Sequence, residues 1–269
     1  MLKLRILTAS VLGCMLLAGL FLLKPEWTVW AFGAVFVLGA WEWSGFGSLR
    51  SAAMRGGYTA MIAALLFAGW WWTGERAHLH ALLVAACIWW GAAFLWLALA
   101  PVRHQPSVAL VCGVPVLVPA FVALARLDIT TGLTSGPQMV LWLVFLVIAA
   151  DIGAFFVGRS FGKHKLAPQV SPGKTWEGAI GGLCTVALVA CAAALHFKLP
   201  IGLCIAFGCA VGIFSVVGDL TESMFKRSAG LKDSGMLLPG HGGILDRIDS
   251  VTAAAPLYAL GLFGSGVIA

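Results

Sequence analysis

The sequence predicts an all-α fold, a polytopic integral membrane helical bundle with about nine transmembrane helices. Of its 269 residues, 61% are hydrophobic and only 10% are charged, and the mean hydropathy is +0.97. A soluble domain carries roughly 45–50% apolar and about 25% charged residues. The apolar residues also form long runs with short polar breaks between them, as expected of helices that each need roughly 20 apolar residues to cross a bilayer. A water-soluble fold is therefore excluded as the leading interpretation.

Nine apolar runs mark the expected spans. They are residues 6–23, 27–43, 57–73, 79–100, 107–125, 137–157, 178–196, 199–220 and 250–268. These runs are too long for barrel strands, and a chain inside a bilayer must satisfy its backbone hydrogen bonds internally, which favours helices. Small residues at Gly178, Gly181 and Gly182 would let the seventh helix approach a neighbour closely. Lys3 and Arg5 precede the first run without a cleavage site, so an uncleaved first helix is expected.

The distribution of Lys and Arg predicts the orientation. If the nine runs all cross the membrane, 13 of the 17 Lys and Arg fall on one side and 4 on the other. Cytoplasmic loops are enriched in these residues, so the N-terminus and both long charged loops should be cytoplasmic and the C-terminus outside. The net charge of +6 is not gathered in a basic domain. A basic surface facing anionic lipid head groups fits this pattern, and no nucleic-acid partner is expected.

Residues 219–249, called the charged island below, interrupt the apolar pattern most strongly. This stretch holds five of the chain's 11 acids, interleaved with basic residues; the acids are Asp219, Glu222, Asp233, Asp246 and Asp249. On a helix that continues past the eighth run, one polar stripe would carry Ser215, Asp219, Glu222 or Ser223, and Lys226. Such an island between apolar runs is where chemistry would be placed in a membrane protein.

Asp151 and the segment that follows it form a second polar region. An ionisable group inside a span is costly and is by default a candidate for a functional site; an ion pair with a neighbouring helix is the alternative. The loop at 158–177 is basic and carries Ser171, Lys174 and Thr175, which could donate to phosphate oxygens just before a helix N-terminus. A Walker phosphate loop is rejected because that motif needs glycine where Pro168 stands.

Four of these acids are expected at one depth, at the cytoplasmic ends of spans six, eight and nine; they are Asp151, Asp219, Asp246 and Asp249. Carboxylates without matching basic partners repel one another unless a cation joins them. Hard oxygen ligands beside phosphate-binding cations suit Mg²⁺ whose coordination is completed by substrate phosphates. The alternative is a set of Asp–Lys and Asp–Arg pairs that only seals the cytoplasmic face. Between the acids, the glycine-flanked His241 with Gly242 and Gly243 is expected to contact phosphate, and a plain surface histidine is the alternative.

The charged island resembles the signature of phosphatidate cytidylyltransferases, also called CDP-diacylglycerol synthases. The residues that carry the resemblance are Ser223, Phe225, Lys226, Arg227, Lys232, Asp233, Gly235, Leu238, Pro239, His241, Gly242, Gly243, Ile244, Asp246, Arg247, Ile248 and Asp249. Two other stretches also resemble that family, from Asp151 to Gly178 and from Gly218 to Ser223. The first 130 residues carry no such signature. Residues 1–130 are therefore expected to form a transmembrane scaffold, and 131–269 a catalytic transmembrane region with active-site loops at 158–177 and 221–249.

The resemblance implies a nucleotidyltransferase of the bacterial inner membrane, with a divalent cation and a homodimeric assembly. The reaction would be CTP + phosphatidate → CDP-diacylglycerol + pyrophosphate, in phospholipid biosynthesis. We expect Mg²⁺, with a second cation as an open alternative, and the metal ligands are expected to be Asp219, Asp246, Asp249 and Glu222. The catalytic residues are expected to be Asp219, Lys226, Arg227, Lys232, Asp246 and Asp249. The substrate-binding residues are expected to be Asp151, Arg159, Ser171, Lys174, Thr175, Ser223, His241, Gly242, Gly243 and Arg247.

Within these sets, Lys226, Arg227, Lys232 and His241 would hold the triphosphate or the leaving group, and Arg159 and Lys174 would meet the lipid phosphate. The alternatives are a lipid kinase and an ion-coupled transporter. A CTP-dependent lipid kinase of the polyprenol or phytol type would transfer the terminal phosphoryl group instead of the cytidylyl group. An ion-coupled transporter would use Asp151 and Asp219 as a relay, but it predicts broken helices in paired halves, and no paired repeat is visible.

Overall fold

The structure is a computed structural model that describes residues 2–49, 51–99, 106–130, 135–238, 240 and 242–265. Side chains are described from residue 7 onward. The helices and strands, in chain order, are α1 (Leu2–Leu22), α2 (Pro25–Trp43), α3 (Ala52–Trp72), α4 (Arg76–Leu99), α5 (Pro106–Ile129), α6 (Gly136–Phe161), β1 (Lys165–Ala167), β2 (Ser171–Thr175), α7 (Trp176–Phe197), α8 (Ile201–Ser228) and α9 (Leu245–Ser265). His241, expected to contact phosphate, lies outside the described residues.

Six helices are long and apolar enough to cross a membrane, counted over the described part of the chain, and they are α3 to α8. α1 adds a shorter apolar stretch at Leu7–Leu22. α2 carries a glutamate near each end, and α9 begins with Asp246, Arg247 and Asp249; these two helices are not among the six. The protein is therefore a multi-pass membrane protein, although fewer helices than the expected nine meet this criterion.

A β-hairpin corrects the expectation of a purely helical chain. The loop predicted at 158–177 begins instead with the last turn of α6, which runs to Phe161, and continues as β1 and β2. The strands pair antiparallel, with Lys165 opposite Thr175 and Ala167 opposite Ser171. Val170, at the turn between them, is only 2% exposed. Proline and glycine prevent this stretch from continuing as a helix, so it folds back on itself and returns the chain to α7.

The predicted close approach at the start of α7 is confirmed. A Cβ atom added to Gly178 would lie 2.9 Å from the Ala154 carbonyl oxygen, and one at Gly182 would lie 2.7 Å from that of Ala150. Thr185 adds a cross-helix hydrogen bond, since its hydroxyl donates to the Ala149 carbonyl at 2.6 Å. Glycine is therefore required for α6 and α7 to pack at this distance, and this packing sets the hairpin beside α8.

The N-terminal helices pack directly against the helices that carry the charged island. α5 is the most buried helix, with Leu117, Val122 and Leu127 fully inaccessible. Trp43, at the end of α2, donates its indole N–H to the Ala109 carbonyl at 2.7 Å and packs on Phe225 of α8 with the ring centroids 5.2 Å apart. The end of α2 is therefore fixed against α5 and α8, next to the charged residues.

Candidate active site

Lys174 and Asp219 join the two polar regions that the sequence singled out. The Lys174 Nζ atom, on β2, lies 2.5 Å from Asp219 Oδ2, on α8. Asp151, on α6, interacts electrostatically with Asp219, Lys174 and Arg247. The hairpin and the charged island therefore meet, and Asp151 and Asp219 lie close together, as the sequence predicts.

The Lys174–Asp219 ion pair remains accessible. The two side chains keep 27% and 26% of their surface exposed. Ser223, one turn along α8, donates its hydroxyl to Asp219 Oδ1 at 3.3 Å. Each oxygen of Asp219 therefore has a protein partner, but a ligand entering from the open side could still reach the carboxylate.

Lys226 is buried between two carboxylates. Its Nζ atom donates to Asp246 Oδ1 at 2.6 Å and lies 3.1 Å from Glu222 Oε1, and the residue is only 8% exposed. Glu222 precedes it by one helical turn, and Asp246 reaches it from the start of α9. A buried charge is tolerated only with such partners. The expectation that the acids at this depth lack matching basic partners is therefore wrong for Asp246 and Asp219.

Ion pairing accounts for only part of the acidic charge, however. Five carboxylates interact electrostatically with one another and with three cations; the acids are Asp151, Asp219, Glu222, Asp246 and Asp249, and the cations are Lys174, Lys226 and Arg247. The Glu222 Oε2 atom is buried and has no hydrogen-bond partner among the described residues. Asp151 and Asp249 take part in none of the ion pairs described above.

Asp246 organises the loop between α8 and α9. Its Oδ2 atom accepts hydrogen bonds from the Ser234 N–H at 3.0 Å, the Ser234 hydroxyl at 2.9 Å and the Gly243 N–H at 2.8 Å. Burial would raise the pKa of this carboxyl group, but the Lys226 ammonium and these backbone donors lower it below its ordinary value. Asp246 thus stabilises the loop conformation through these hydrogen bonds, in addition to any role toward a ligand.

A turn connects Leu238 to Gly242 ahead of α9. The Leu238 N–H donates to the Gly242 carbonyl at 2.9 Å, which closes a tight turn. Gly242 has a φ of +81°, and a Cβ there would lie 2.7 Å from Asp246 Oδ2. Glycine adopts this backbone conformation at no steric cost. The turn therefore lies directly against the Asp246 carboxylate.

The residues present suit a hard divalent cation, although they do not form a complete metal site by themselves. In the described ranges, no group of three or more His, Cys, Asp or Glu side chains is arranged to hold a metal ion. Mg²⁺ is typically bound through one or two carboxylates together with waters and substrate phosphates. The cluster of five carboxylates and the unpartnered Glu222 Oε2 atom fit such a cation. Mg²⁺ therefore stays a prediction that this donor chemistry supports.

The remaining candidate residues are either exposed cations or residues with a role in the secondary structure of the hairpin and α7. The cations whose side chains are exposed at the site or beside it are Arg159, Arg227, Lys232 and Arg247. Thr175 is instead the N-cap of α7, since its hydroxyl accepts a hydrogen bond from the Gly178 N–H at 3.1 Å. Ser171 begins β2 and faces Ala167 across the hairpin. Their roles toward substrate stay predictions.

Glu42 was missed by the sequence reasoning. It lies near the end of α2, is 2% exposed, and accepts hydrogen bonds from the N–H groups of Ile244 and Leu245 and from the Ser234 hydroxyl. The signal was available, because Glu42 is an acid inside an apolar run between Trp41 and Trp43. The rule that singled out Asp151 applies equally to it.

Comparison with known proteins agrees with this geometry. The family model described as "Cytidylyltransferase family" matches residues 3–263. The chain is 42% identical to a phosphatidate cytidylyltransferase of Haemophilus influenzae, over 96% of this chain and 98% of the relative. It is also 42% identical to one of Pseudomonas aeruginosa, over 99% and 98%, and 36% identical to one of Brucella suis, over 98% and 93%. The chain therefore belongs to the cytidylyltransferase family.

Proposed function

We propose that this protein transfers the cytidylyl group from CTP to phosphatidate, giving CDP-diacylglycerol and pyrophosphate. The observation that carries the proposal is the network of carboxylates and cations where Lys174 meets Asp219, in a chain of this family. Relatives that match nearly the whole chain carry the name phosphatidate cytidylyltransferase. A cluster of acids bordered by exposed cations suits a reaction whose two substrates are both phosphates.

The reaction requires orientation and charge neutralisation more than acid–base chemistry. An oxygen of the phosphatidate phosphate attacks the α-phosphorus of CTP, a new P–O bond forms, and the bond to the bridging oxygen breaks as pyrophosphate leaves. The attacking oxygen is already anionic at neutral pH, so no strong general base is needed. Binding both phosphates in line supplies the larger part of the rate enhancement.

The exposed cations have the charge to bind these phosphates. Arg227, Lys232 and Arg247 extend from the charged island, and Arg159 from the last turn of α6. Arginine binds phosphate oxygens with two parallel hydrogen bonds, so these residues suit the triphosphate and the lipid phosphate. Lys226 keeps Asp246 in position and neutralises part of its charge.

A bound Mg²⁺ ion would neutralise phosphate charge and align the two substrates. The carboxylates that would hold it, together with substrate oxygens, are Asp219, Asp246, Asp249 and Glu222. Asp246 already accepts hydrogen bonds at both oxygens, whereas Glu222 Oε2 has no partner in the described part of the chain. This difference favours the Glu222 side of the cluster as the place where a cation lowers the electrostatic repulsion most.

We further propose that α1 to α9 all cross the bacterial inner membrane, with the N-terminus and the site in the cytoplasm and the C-terminus outside. The 13 to 4 division of Lys and Arg supports this orientation. CTP would then arrive from the cytoplasm, and phosphatidate would enter between helices from the bilayer. Residues 1–130 would act mainly as scaffold for the catalytic region 131–269, and the protein would assemble as a homodimer.

Labelled CTP tests the proposal directly. Purified protein in phosphatidate-containing vesicles is supplied with Mg²⁺ and with CTP labelled either in cytosine or in the γ-phosphate. We expect the cytosine label to enter the lipid and the γ-phosphate label to leave as pyrophosphate. Entry of the γ-phosphate label alone would identify a lipid kinase, and no transfer of either label would reject both assignments.

A further inference from the structure

Glu42 of α2 accepts hydrogen bonds from three residues of the charged island, Ser234, Ile244 and Leu245. Its Oε1 atom accepts a hydrogen bond from the Ile244 N–H at 3.1 Å, and its Oε2 atom accepts from the Leu245 N–H at 2.8 Å and the Ser234 hydroxyl at 3.1 Å. These donors all belong to residues 234–245, about 200 positions away along the chain. A carboxylate from the N-terminal region thus completes the entry into α9.

The surroundings of Glu42 fit a buried carboxylate closely. The Glu42 carboxylate lies at the start of α9 and accepts hydrogen bonds from backbone N–H groups that the helix itself cannot pair. It also lies at the positive end of the helix dipole, which stabilises a negative charge. A Cβ atom added to Gly235 or Gly243 would collide with the Glu42 side chain. The loop backbone therefore packs directly against the carboxylate, and both positions need glycine because a larger residue would collide with Glu42.

Ser234 links Glu42 to the candidate active site. Its hydroxyl oxygen lies 3.1 Å from Glu42 Oε2 and 2.9 Å from Asp246 Oδ2, so one hydroxyl hydrogen is shared between two carboxylates. Asp246 in turn accepts from the Gly243 N–H and from Lys226. Displacing Glu42 would therefore change the position of the Leu238–Gly242 turn and of Asp246 together.

We propose that Glu42 is a positioning residue of the transferase site, which holds residues 234–245 at the depth where Asp246 and the glycine turn meet the nucleotide. It acts through Ser234 and the first turn of α9 and does not touch substrate. The proposal rests on the proposed function, and it gives α2 a part in the site beyond that of a membrane scaffold.

The test compares Glu42→Gln with Glu26→Gln on the same helix, where Glu26 is exposed. Glutamine keeps the length of the side chain but turns an amide donor toward backbone donors. Hydrogen exchange of the full-length protein in micelles should become at least about tenfold faster in peptides covering 232–250 and stay unchanged in α5, as expected for lost hydrogen bonds to a charged group. The kcat/KM for CTP should fall at least about tenfold, while KM for phosphatidate changes less than about twofold.

A second variant separates positioning from general destabilisation. Ser234→Ala removes the shared hydroxyl. The fold decrease in kcat/KM for the double variant with Glu42→Gln should therefore be smaller than the product of the two single fold decreases. The proposal is overturned if hydrogen exchange becomes equally faster in α5 and in the loop. It is also overturned if loop exchange increases while kcat/KM stays unchanged, or if neither loop exchange nor kcat/KM changes. If the unsubstituted protein transfers no cytidylyl group, the proposed function fails; the proposal for the loop is then judged by hydrogen exchange, and it fails if exchange in 232–250 is unchanged.

Discussion

Lys174 Nζ lies 2.5 Å from Asp219 Oδ2, and this ion pair connects the β-hairpin to α8. The two residues belong to separate polar segments, divided by the whole of α7 and most of α8. Their contact brings the two segments together, and the Asp151 carboxylate on a third helix interacts with both residues. Substrate phosphate would compete with Asp219 for the same ammonium group.

Lys174→Gln should reduce activity much more than stability. The ion pair is partly exposed, and such pairs contribute about 0–1 kcal/mol to the free energy of unfolding. Loss of a phosphate-binding cation should lower kcat/KM about 100-fold or more. Lys163→Gln, an exposed lysine close to the hairpin, is the matched control and should retain activity. Measured kinetics and thermal unfolding in detergent check both; a Lys174→Gln protein of normal activity would contradict the assignment.

Lys226→Met, unlike Lys174→Gln, should cause a large loss of stability. Removing the ammonium leaves Glu222 and Asp246 buried next to each other, and breaking a buried pair by deleting one partner costs about 3–5 kcal/mol. Arg227→Met, at the adjacent exposed position, should change stability by less than about 0.5 kcal/mol. Unfolding by denaturant in mixed micelles provides the comparison, and similar stabilities for the two variants would show that the buried triad is not stabilising.

Gly242→Ala should distort the turn against Asp246. The residue has a φ of +81° and a Cβ there would lie 2.7 Å from the carboxylate, so backbone strain of about 1–3 kcal/mol is expected. Gly173→Ala, where nothing lies within 4 Å of the added Cβ, should leave both stability and turnover unchanged. Turnover and melting temperature are measured for each variant. A fully active Gly242→Ala protein would mean that the turn tolerates displacement from Asp246.

Removal of divalent cations should stop turnover, and addition of Mg²⁺ should restore it. Asp219→Asn and Asp249→Asn should each raise the Mg²⁺ concentration for half-maximal activity at least about tenfold, because each removes a negative charge from the cluster. Glu75→Gln, an exposed acid before α4, serves as the control. Activity that survives chelation, or an unchanged Mg²⁺ requirement in both variants, would exclude the predicted metal role.

Much of the architecture could be predicted because hydropathy and charge are local properties of the sequence. The apolar runs located the helices, and Asp151 and residues 219–249 were identified as polar positions in apolar surroundings. The β-hairpin was missed because a short Pro- and Gly-containing segment resembles an irregular loop until its pairing is known. Glu42 could have been identified as an acid inside an apolar run, but its partners could not, because they are backbone N–H groups about 200 residues later.

The sequence by itself determined that this is a helical membrane protein with two polar segments, and its motifs placed it near one family of enzymes. Only the tertiary structure decided which partner each buried or paired charge has. Lys226 is paired with Glu222 and Asp246, Lys174 with Asp219, and Glu42 with the start of α9. The physical reason is that burial of a charge depends on which helices pack together, and helix packing is a property of the whole chain.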